Sequence, residues 1–368
     1  MSLTLSENTN VAGPRFGLAG LARRSEAVVL PIGALLTGCA VFSLFLLLQG
    51  KSPADFFALV YRAGFGTAFS WENTLSRAAP LLLAALCVAL PARLGLVVIG
   101  GEGAIVLGGV AAGFTGVLFL GSTAMVALPM MLFAAMAAGA VWIGAVGVLR
   151  HFRGVNETIA SLLMAYIAVA LMNHLVEGPL RDPASLNKPS TAPLGEALRV
   201  GSIPGWDVHW GLAFGVTACV LAWVLIDKTT WGFAARIAGG NVRAAQVQGL
   251  PVGKLIVGFT ALGGAFAGLA GFFEVAAVHG SANASLASGY GYTGILIAFL
   301  ARHNPLAIIP VAILLAGFEA SSGLVQRRMD LPDATVLVLQ GFAFLAILMS
   351  ETLYGRFKIF APERWRSR

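Results

Sequence analysis

Long apolar stretches separated by short polar segments make up this chain from residue 27 to residue 352. A helix that crosses a bilayer needs about 20 apolar residues, and ten stretches approach or reach that length. They cover residues 27–49, 74–92, 96–118, 123–149, 157–176, 209–226, 254–279, 291–302 with its flanks, 304–325 and 334–352. Because the eighth is short and flanked by glycine, we expect a broken or re-entrant helix there. The pattern predicts an all-α polytopic membrane protein with about ten transmembrane helices.

Two of the segments between these stretches are longer than turns. Residues 52–73 have the mixed apolar and polar pattern of an amphipathic helix that lies at the membrane interface. Residues 177–208 are rich in proline, and we expect them to pack over the outer mouth of the helix bundle. Either segment could contact an external partner or could be an ordered loop without one.

Composition agrees with membrane insertion, since 58% of the residues are hydrophobic, only 11% are charged and the mean hydropathy is +0.83. A soluble domain has about 25% charged residues. The net charge of +7 does not indicate a nucleic-acid partner, because no basic stripe with interleaved aromatic residues is present. The three cysteines lie inside apolar stretches without the spacing of metal ligands.

The distribution of basic residues predicts the orientation in the membrane. With the N-terminus inside, sixteen of the 24 Lys and Arg residues fall on the cytoplasmic side and eight fall outside. The opposite orientation reverses this ratio, so the positive-inside rule places both termini in the cytoplasm. We therefore expect a cytoplasmic tail at residues 1–26, a single transmembrane domain at 27–352 and a basic cytoplasmic tail at 353–368.

The longest basic segment on the predicted cytoplasmic side is residues 227–254. It indicates a short helix, a break at Gly239-Gly240-Asn241, and a second short helix from Val242 to Gly249 that Pro251 cannot continue. A helical hairpin of this kind is a surface for another protein to press on. A plain connecting loop is the alternative.

Carboxylates within apolar stretches are the candidate functional groups, because an ionised side chain in a bilayer costs about 2.5–3.5 kcal/mol. Glu102 follows a glycine-rich turn, and it either lines a cavity or caps a helix N-terminus near the cytoplasmic interface. Glu274 lies in the seventh stretch and Glu319 in the ninth.

Motifs for catalysis are missing from the sequence. Residues 289–294 match the dinucleotide-binding glycine pattern, but no strand precedes them and no βαβ unit surrounds them. Residues 249–255 are one residue short of a P-loop and lack its Ser or Thr. The five histidines form no nucleophile–base pattern or metal-ligand spacing. If ATP drives this protein, another chain hydrolyses it.

Several segments together resemble the permease subunits of ABC importers for simple sugars, nucleosides and branched-chain amino acids, with the nucleoside and simple-sugar group nearest. The segments are LGLVVIGGEGAIVLGG, GVNETIASLLMAYIA, TTWGFAARIAGGNVRAAQVQG and GLAGFFEVAAVHG. The resemblance extends over roughly residues 27–352.

The resemblance implies a type II importer fold with two pseudo-symmetric halves, no enzymatic activity and no cofactor or metal. It also implies a bacterial inner-membrane location and three partners, namely a separate ABC ATPase, a second, similar permease and an extracytoplasmic substrate-binding protein. The residues that match the ATPase-coupling pattern of the family are Gly232, Arg236, Gly239, Asn241, Ala244, Ala245 and Gly249.

The chain departs from the family where polar residues are usual, with Val97-Val98 and Ala104 around the glycine turn and Ala165 in the fifth stretch. These departures weaken any transfer of substrate identity. The candidate substrate-path residues are two carboxylates and three aromatics that could stack on a base or a sugar: Glu102, Glu274, Phe272, Phe273 and Tyr292. The alternative function is an ion-coupled secondary transporter or a channel that uses the buried glutamates.

Overall fold

A computed structural model describes the backbone of residues 18–351 and the side chains of residues 29–350. Within that range the regular structure is helical, apart from two isolated bridges between residues in loops. The α-helices are α1 Leu18–Leu48, α2 Pro53–Phe65, α3 Ala68–Ala92, α4 Gly101–Leu118, α5 Ala124–Arg153, α6 Glu157–Glu177, α7 Gly211–Lys228, α8 Thr230–Gly240, α9 Val242–Val247, α10 Val252–Phe273, α11 Tyr290–Leu300, α12 Pro305–Met329 and α13 Thr335–Glu351. A π-helical stretch, Glu274–His279, continues α10.

Eight helices of the described range are long and apolar enough to cross a membrane. Two more of the predicted spans, α11 and α13, are shorter apolar helices of 11 and 17 residues. The prediction of an all-helical multi-span protein is confirmed, and so is the short eighth helix. The pseudo-symmetry of the two halves and the division into tails and one domain stay predictions. The predicted tail at 353–368 and residues 1–17 of the other lie outside the described residues, and α1 already begins at Leu18.

Two helix starts differ from the sequence prediction. The second span begins at Ala68 instead of residue 74, because the Thr67 side chain accepts a hydrogen bond from the Ser70 amide at 3.1 Å and caps the helix there. The predicted interfacial helix at 52–73 is accordingly shorter and forms only α2. The third span begins at Gly101 instead of residue 96, and the residues before it are extended and bound to α6.

Helices α3, α4 and α10 form the core of the bundle, with 78%, 72% and 67% of their most apolar stretches buried. Glycines let α10 approach α5 very closely. A Cβ added at Gly264 would overlap the Gly139 carbonyl, and one added at Gly268 would overlap the Ala135 carbonyl. Close backbone contact through small residues is the usual packing of membrane helices. The outer helices α1, α5 and α6 leave large apolar faces uncovered, as expected for lipid or subunit contact.

The two ends of the bundle differ. One end, called the hairpin end, carries α8 and α9 together with the turns α5–α6 and α11–α12. The other end, called the loop end, carries residues 178–210, which lie against the turn after the π-helix. Thr191 N donates to Ala282 O at 3.0 Å and Leu194 N donates to Gly280 O at 2.8 Å. The proline-rich loop therefore packs over this end of the bundle.

Two segments without α-helical structure enter the bundle from opposite ends and meet at Glu102. The first is Leu94–Gly100, here called the strap, which joins the end of α3 to the start of α4. The second, residues 281–289, follows α4 inwards: Ala282 lies beside Gly113, and Leu286 lies beside Gly109. Helix α11 consequently starts inside the bundle, at the level of Glu102. Non-helical backbone in such a place has to be buried in protein or line a cavity.

Candidate functional site

Helices α8 and α9 form the predicted hairpin, and the local sequence explains each of its ends. The Thr229 side chain accepts from Gly232 N at 3.3 Å and caps α8. The Asn241 side chain accepts from Ala244 N at 3.0 Å and caps α9. Gly249 then has a φ of +75°, which glycine adopts without strain, and Pro251 follows before α10.

The glycines of the hairpin fall into two groups. A Cβ at Gly232 would overlap the carbonyls of Leu225 and Ile226, and one at Gly239 would overlap the Arg93 carbonyl. Gly240 and Gly249 face open space. Close backbone contact therefore fixes α8 to the bundle at Gly232 and Gly239, while the tip of the hairpin is free of such contacts.

Charge and exposure also separate the root of the hairpin from its tip. Near the root, Arg236 Nη2 lies 2.9 Å from Asp227 Oδ1 in an ion pair. At the tip Asn241 and Ala244 are exposed, whereas Ala245 is buried against the bundle. Val247 is 89% exposed and Val242 is 48% exposed, so the polar segment also presents aliphatic surface. The tip therefore presents a small surface that combines apolar contact area with flanking basic residues.

Glu102 holds the start of α11. Its two carboxylate oxygens accept from Gly289 N at 2.8 Å and from Gly291 N at 2.6 Å. The side chain is 2% exposed, and it lies in the first turn of its own helix α4. A carboxylate so placed faces the positive ends of two helix dipoles, which offsets the cost of burying its charge. Glu102 with Gly100, Gly101, Gly289 and Gly291 is called the junction below.

The other predicted substrate-path residues do not all gather around Glu102. Tyr292 is close to it, on the first turn of α11, and its ring is 42% exposed within electrostatic reach of Glu102 and Tyr166. Phe272 and Phe273 are core residues, since they are 2% and 1% exposed. Phe273 stacks on His209 with ring centroids 6.1 Å apart. In this conformation neither phenylalanine ring is available to a substrate.

Glu274 is the first residue of the π-helical stretch, and its side chain is 3% exposed. Its Oε2 lies 3.5 Å from His279 Nε2. A π-helical turn often marks a functional site, because it shifts one residue of the helix out of register. Arg77 and Tyr290 interact with Glu274 electrostatically.

A polar cluster that the sequence analysis did not predict links three helices near α11. The Thr293 hydroxyl lies 3.1 Å from Glu319 Oε1 and 3.2 Å from Gln340 Oε1, and Gln340 Nε2 donates to Glu319 Oε1 at 3.5 Å. The sequence signal was available, because Gln340 is the one polar side chain inside the apolar run of α13. Within the described residues, no group of three His, Cys, Asp or Glu could hold a metal ion.

These features describe a polytopic membrane protein with an exposed helical hairpin at one end and a polar, glycine-lined junction in its interior. Residues 70–348 match the family described as the permease component of branched-chain amino acid transport systems. The chain belongs to this family, which confirms the resemblance noted from the sequence. Because a permease component translocates its substrate without chemical change, the expectation that the chain is not an enzyme is also confirmed.

Relatives along nearly the whole chain support the assignment. The chain is 33% identical to the glucose ABC transporter permease protein TsgB13 of Haloferax volcanii, over 89% of each chain. It is 30% identical to the guanosine ABC transporter permease protein NupP of Bacillus subtilis, over 90% of this chain and 95% of NupP. NupQ, a second guanosine permease protein of that organism, is 28% identical over 73% of this chain and 90% of NupQ.

The protein is therefore a permease subunit of an ATP-driven importer whose ATPase is a separate chain. These comparisons favour that function over the alternative of an ion-coupled secondary transporter or a channel.

Proposed function

We propose that this chain forms one half of the translocation path of an importer for nucleosides or simple sugars, and that the α8–α9 hairpin docks on the ATPase. The substrate classes come from the relatives, whose names specify glucose and guanosine. Both are polar molecules with ring hydroxyl groups. The observation that carries the docking proposal is a capped, exposed hairpin tip on a root fixed by backbone contacts.

Basic residues support a location in the cytoplasmic membrane, with the hairpin on the cytoplasmic side. Lys228, Arg236, Arg243 and Lys254 all lie on or beside the hairpin, and the positive-inside rule favours such loops on the cytoplasmic side. The loop end then faces outwards, where a substrate-binding protein would deliver its ligand to residues 178–210. The same orientation places both termini inside.

A second permease completes the path in this proposal. The chain resembles both NupP and NupQ, two permease proteins of one organism that carry the same substrate name. Around the junction Val97, Tyr166 and Tyr292 are 36%, 63% and 42% exposed among the described residues. We assign this face to the translocation path, with Glu102 behind it and Tyr292 as the aromatic group that contacts the ring of a passing substrate.

The translocation path includes Glu274, Phe272 and Phe273 only if it opens next to the π-helical turn. Phe273 packs against Phe214 of α7 and Phe272 packs against Phe273, so substrate contact requires a second conformation. The coupling residues Gly232, Arg236, Gly239, Asn241, Ala244, Ala245 and Gly249 divide into root and tip, and the tip residues are those we expect to contact the ATPase.

The substitution Ala244→Asp tests the docking proposal. Ala244 is exposed, so the carboxylate does not disturb the fold but enters the ATPase contact. We expect transport and the stimulation of ATP hydrolysis to be lost in the reconstituted complex, while the permease keeps its melting temperature. Ala334→Asp, at an exposed position between α12 and α13 that lies outside both the hairpin and residues 178–210, is the matched control. Full transport with Ala244→Asp would contradict the proposal.

A further inference from the structure

Helix α11 is held at both of its ends by residues that flank the strap. At its start, Glu102 accepts from Gly289 N and Gly291 N. Just beyond its last residue, Arg93 Nη2 donates to His303 O at 2.9 Å. Arg93 and Glu102 are only nine positions apart in sequence, yet they span the length of an 11-residue helix, about 16 Å. The chain between them forms a turn at residues 93–95 and a non-helical stretch at residues 96–99.

The strap also has its own fixed contacts along its length. Ile99 N donates to Ser161 Oγ at 3.0 Å, and Thr158 Oγ1 donates to Val97 O at 2.8 Å. A Cβ added at Gly100 would lie 2.5 Å from the Ser161 carbonyl. The strap therefore cannot shift alone, because its hydrogen bonds move the start of α6 with it.

The Leu94 end of the strap contacts the root of the hairpin through backbone atoms. A Cβ at Gly239 would overlap the Arg93 carbonyl and lie 3.0 Å from the Cα of Leu94. A Cβ at Gly95 would lie 3.4 Å from the Gly239 carbonyl. Because two backbones in contact have no flexible side chain between them, a displacement of α8 passes directly to the strap.

Arg93 lies where these contacts converge. Its guanidinium is within electrostatic reach of Asp227 and Arg236, the ion pair at the root of the hairpin. Its Nε and the Nδ1 of His303 are both buried without a hydrogen-bond partner. Buried polar atoms are rarely left unpaired in a native state, so this pairing is incomplete in the observed conformation.

We propose that Arg93 is the positioning residue that transmits movement of the coupling hairpin to α11, with the strap as the connecting element. When the ATPase displaces the hairpin, α8 pushes the strap at Arg93 and Leu94. Arg93 carries the end of α11 at His303, and Glu102 carries its start. Helix α11 then moves as one body and takes Tyr292 with it across the translocation face. This inference rests on the proposed function and adds a residue outside the coupling pattern of the hairpin.

The substitution Arg93→Gln tests the inference in the complex of this permease with its ATPase and second permease. We expect the complex to assemble and to hydrolyse ATP at its basal rate, because Arg93 is not at the hairpin tip. Transport per ATP hydrolysed should fall about tenfold or more, in the range of an allosteric coupling. Arg93→Lys, which keeps a cation that can reach the His303 carbonyl, should recover part of the coupling. Arg153→Gln, at an exposed arginine of the same end, is the control.

A second measurement separates transmission from a structural effect. In a variant without Cys39, Cys87 and Cys219, a cysteine introduced by Tyr292→Cys reports the exposure of α11 to a water-soluble thiol reagent. We expect its labelling rate to change when ATP is added, and Arg93→Gln should abolish that change without altering the rate in the absence of ATP. An unchanged ATP response in Arg93→Gln, or full transport coupling, would overturn the inference.

The two proposals fail in distinguishable ways. If Ala244→Asp leaves transport intact, docking through the hairpin is wrong. If Ala244→Asp uncouples transport while Arg93→Gln does not, the hairpin docks but the strap does not transmit. If the complex with Arg93→Gln does not assemble, Arg93→Lys is tested in its place with the Tyr292→Cys label. The role of the guanidinium is contradicted if Arg93→Lys changes neither the ATP response of the labelling rate nor the transport per ATP hydrolysed.

Discussion

The tip of the hairpin exposes its backbone and side chains, whereas the junction around Glu102 packs backbone against backbone. At the tip, Gly240 and Gly249 have no neighbour within 4 Å of an added Cβ. At the junction, Gly100 and Gly291 lie against the backbone of Ser161 and Glu102. Substitutions should therefore separate the two regions, since changes at the junction reduce stability and changes at the tip reduce coupling alone.

The largest effect is expected for Gly291→Ala. The added Cβ would overlap the backbone nitrogen of Glu102, which cannot move away without shifting α4. We expect a loss of about 3 kcal/mol of unfolding free energy, the upper range for overpacking. The buried thiols of Cys87 and Cys219 allow a measurement in detergent, because a thiol-reactive dye labels them only on unfolding. Gly258→Ala, where an added Cβ has open space, is the control. Equal melting temperatures for both variants would contradict the close packing of the junction.

Glu102→Gln should have the next largest effect. The amide offers one acceptor where the carboxylate offers two, so one of the two glycine amides loses its partner. A buried donor left unsatisfied costs about 1–3 kcal/mol. The same thiol assay measures the loss, and Glu196→Gln, at an exposed loop residue, is the control. A melting temperature equal to that of the unmodified protein would show that these amides do not need Glu102.

Acidification should weaken the end of α11 through His303. Burial and the charges of Arg93 and Arg302 lower the pKa of His303 to about 4, whereas an unfolded histidine titrates near 6.5. In this pH range His303 binds a proton in the unfolded chain but not in the folded chain. The unfolding free energy therefore falls as the pH drops from about 6.5 to 4. We expect a loss of roughly 2 kcal/mol of unfolding free energy between pH 7 and pH 5, measured by circular dichroism during heating at each pH.

His303→Asn is the variant that isolates this contribution. The backbone at residue 303 has a φ of 55°, a left-handed conformation that asparagine tolerates better than most residues. The variant should lose the part of the pH dependence that belongs to His303. An identical pH profile in both proteins would assign the acid sensitivity to other groups.

The smallest effect on stability is expected at the tip. Val247→Ser removes an aliphatic side chain that is 89% exposed, so unfolding free energy should change by less than about 0.5 kcal/mol. Transport should nevertheless fall about fivefold, as expected for the loss of a contact worth about 1 kcal/mol at a protein interface. Val155→Ser, an exposed valine of the same end outside the hairpin, should leave transport unchanged. Equal transport in the two variants would remove Val247 from the docking surface.

Sequence reasoning predicted features that depend on neighbours along the chain. The number of apolar helices, the break at Asn241 and the short eighth span all follow from local composition and capping residues. The contact between Glu102 and the start of α11 could not be predicted from the sequence, because the two amides that Glu102 binds are 187 and 189 residues away. Arg93 and His303 gave no signal, since each is a single polar residue in a short turn and their contact spans 210 residues.

The exact start of a helix and the burial of its aromatic residues were also beyond prediction from the sequence. The apolar run of residues 96–99 has the composition of a helix, yet its backbone groups bind side chains of α6, so the helix starts five residues later than predicted. Phe272 and Phe273 have the residue type expected of a substrate contact, and only the packing of Phe273 on α7 and of Phe272 on Phe273 shows that they are buried. Composition cannot separate an aromatic ring that faces a path from one that faces the core.

The strap also constrains the order in which the chain can be assembled during synthesis. The Ile99 amide binds the hydroxyl of Ser161, which is synthesised 62 residues later. The Glu102 carboxylate binds amides that are synthesised 187 and 189 residues later. Until α6 and α11 have left the ribosome, these groups have to stay hydrated at the insertion machinery. The first helices therefore cannot complete their contacts by themselves, and a chain that ends before residue 289 leaves the Glu102 carboxylate without its two amide partners.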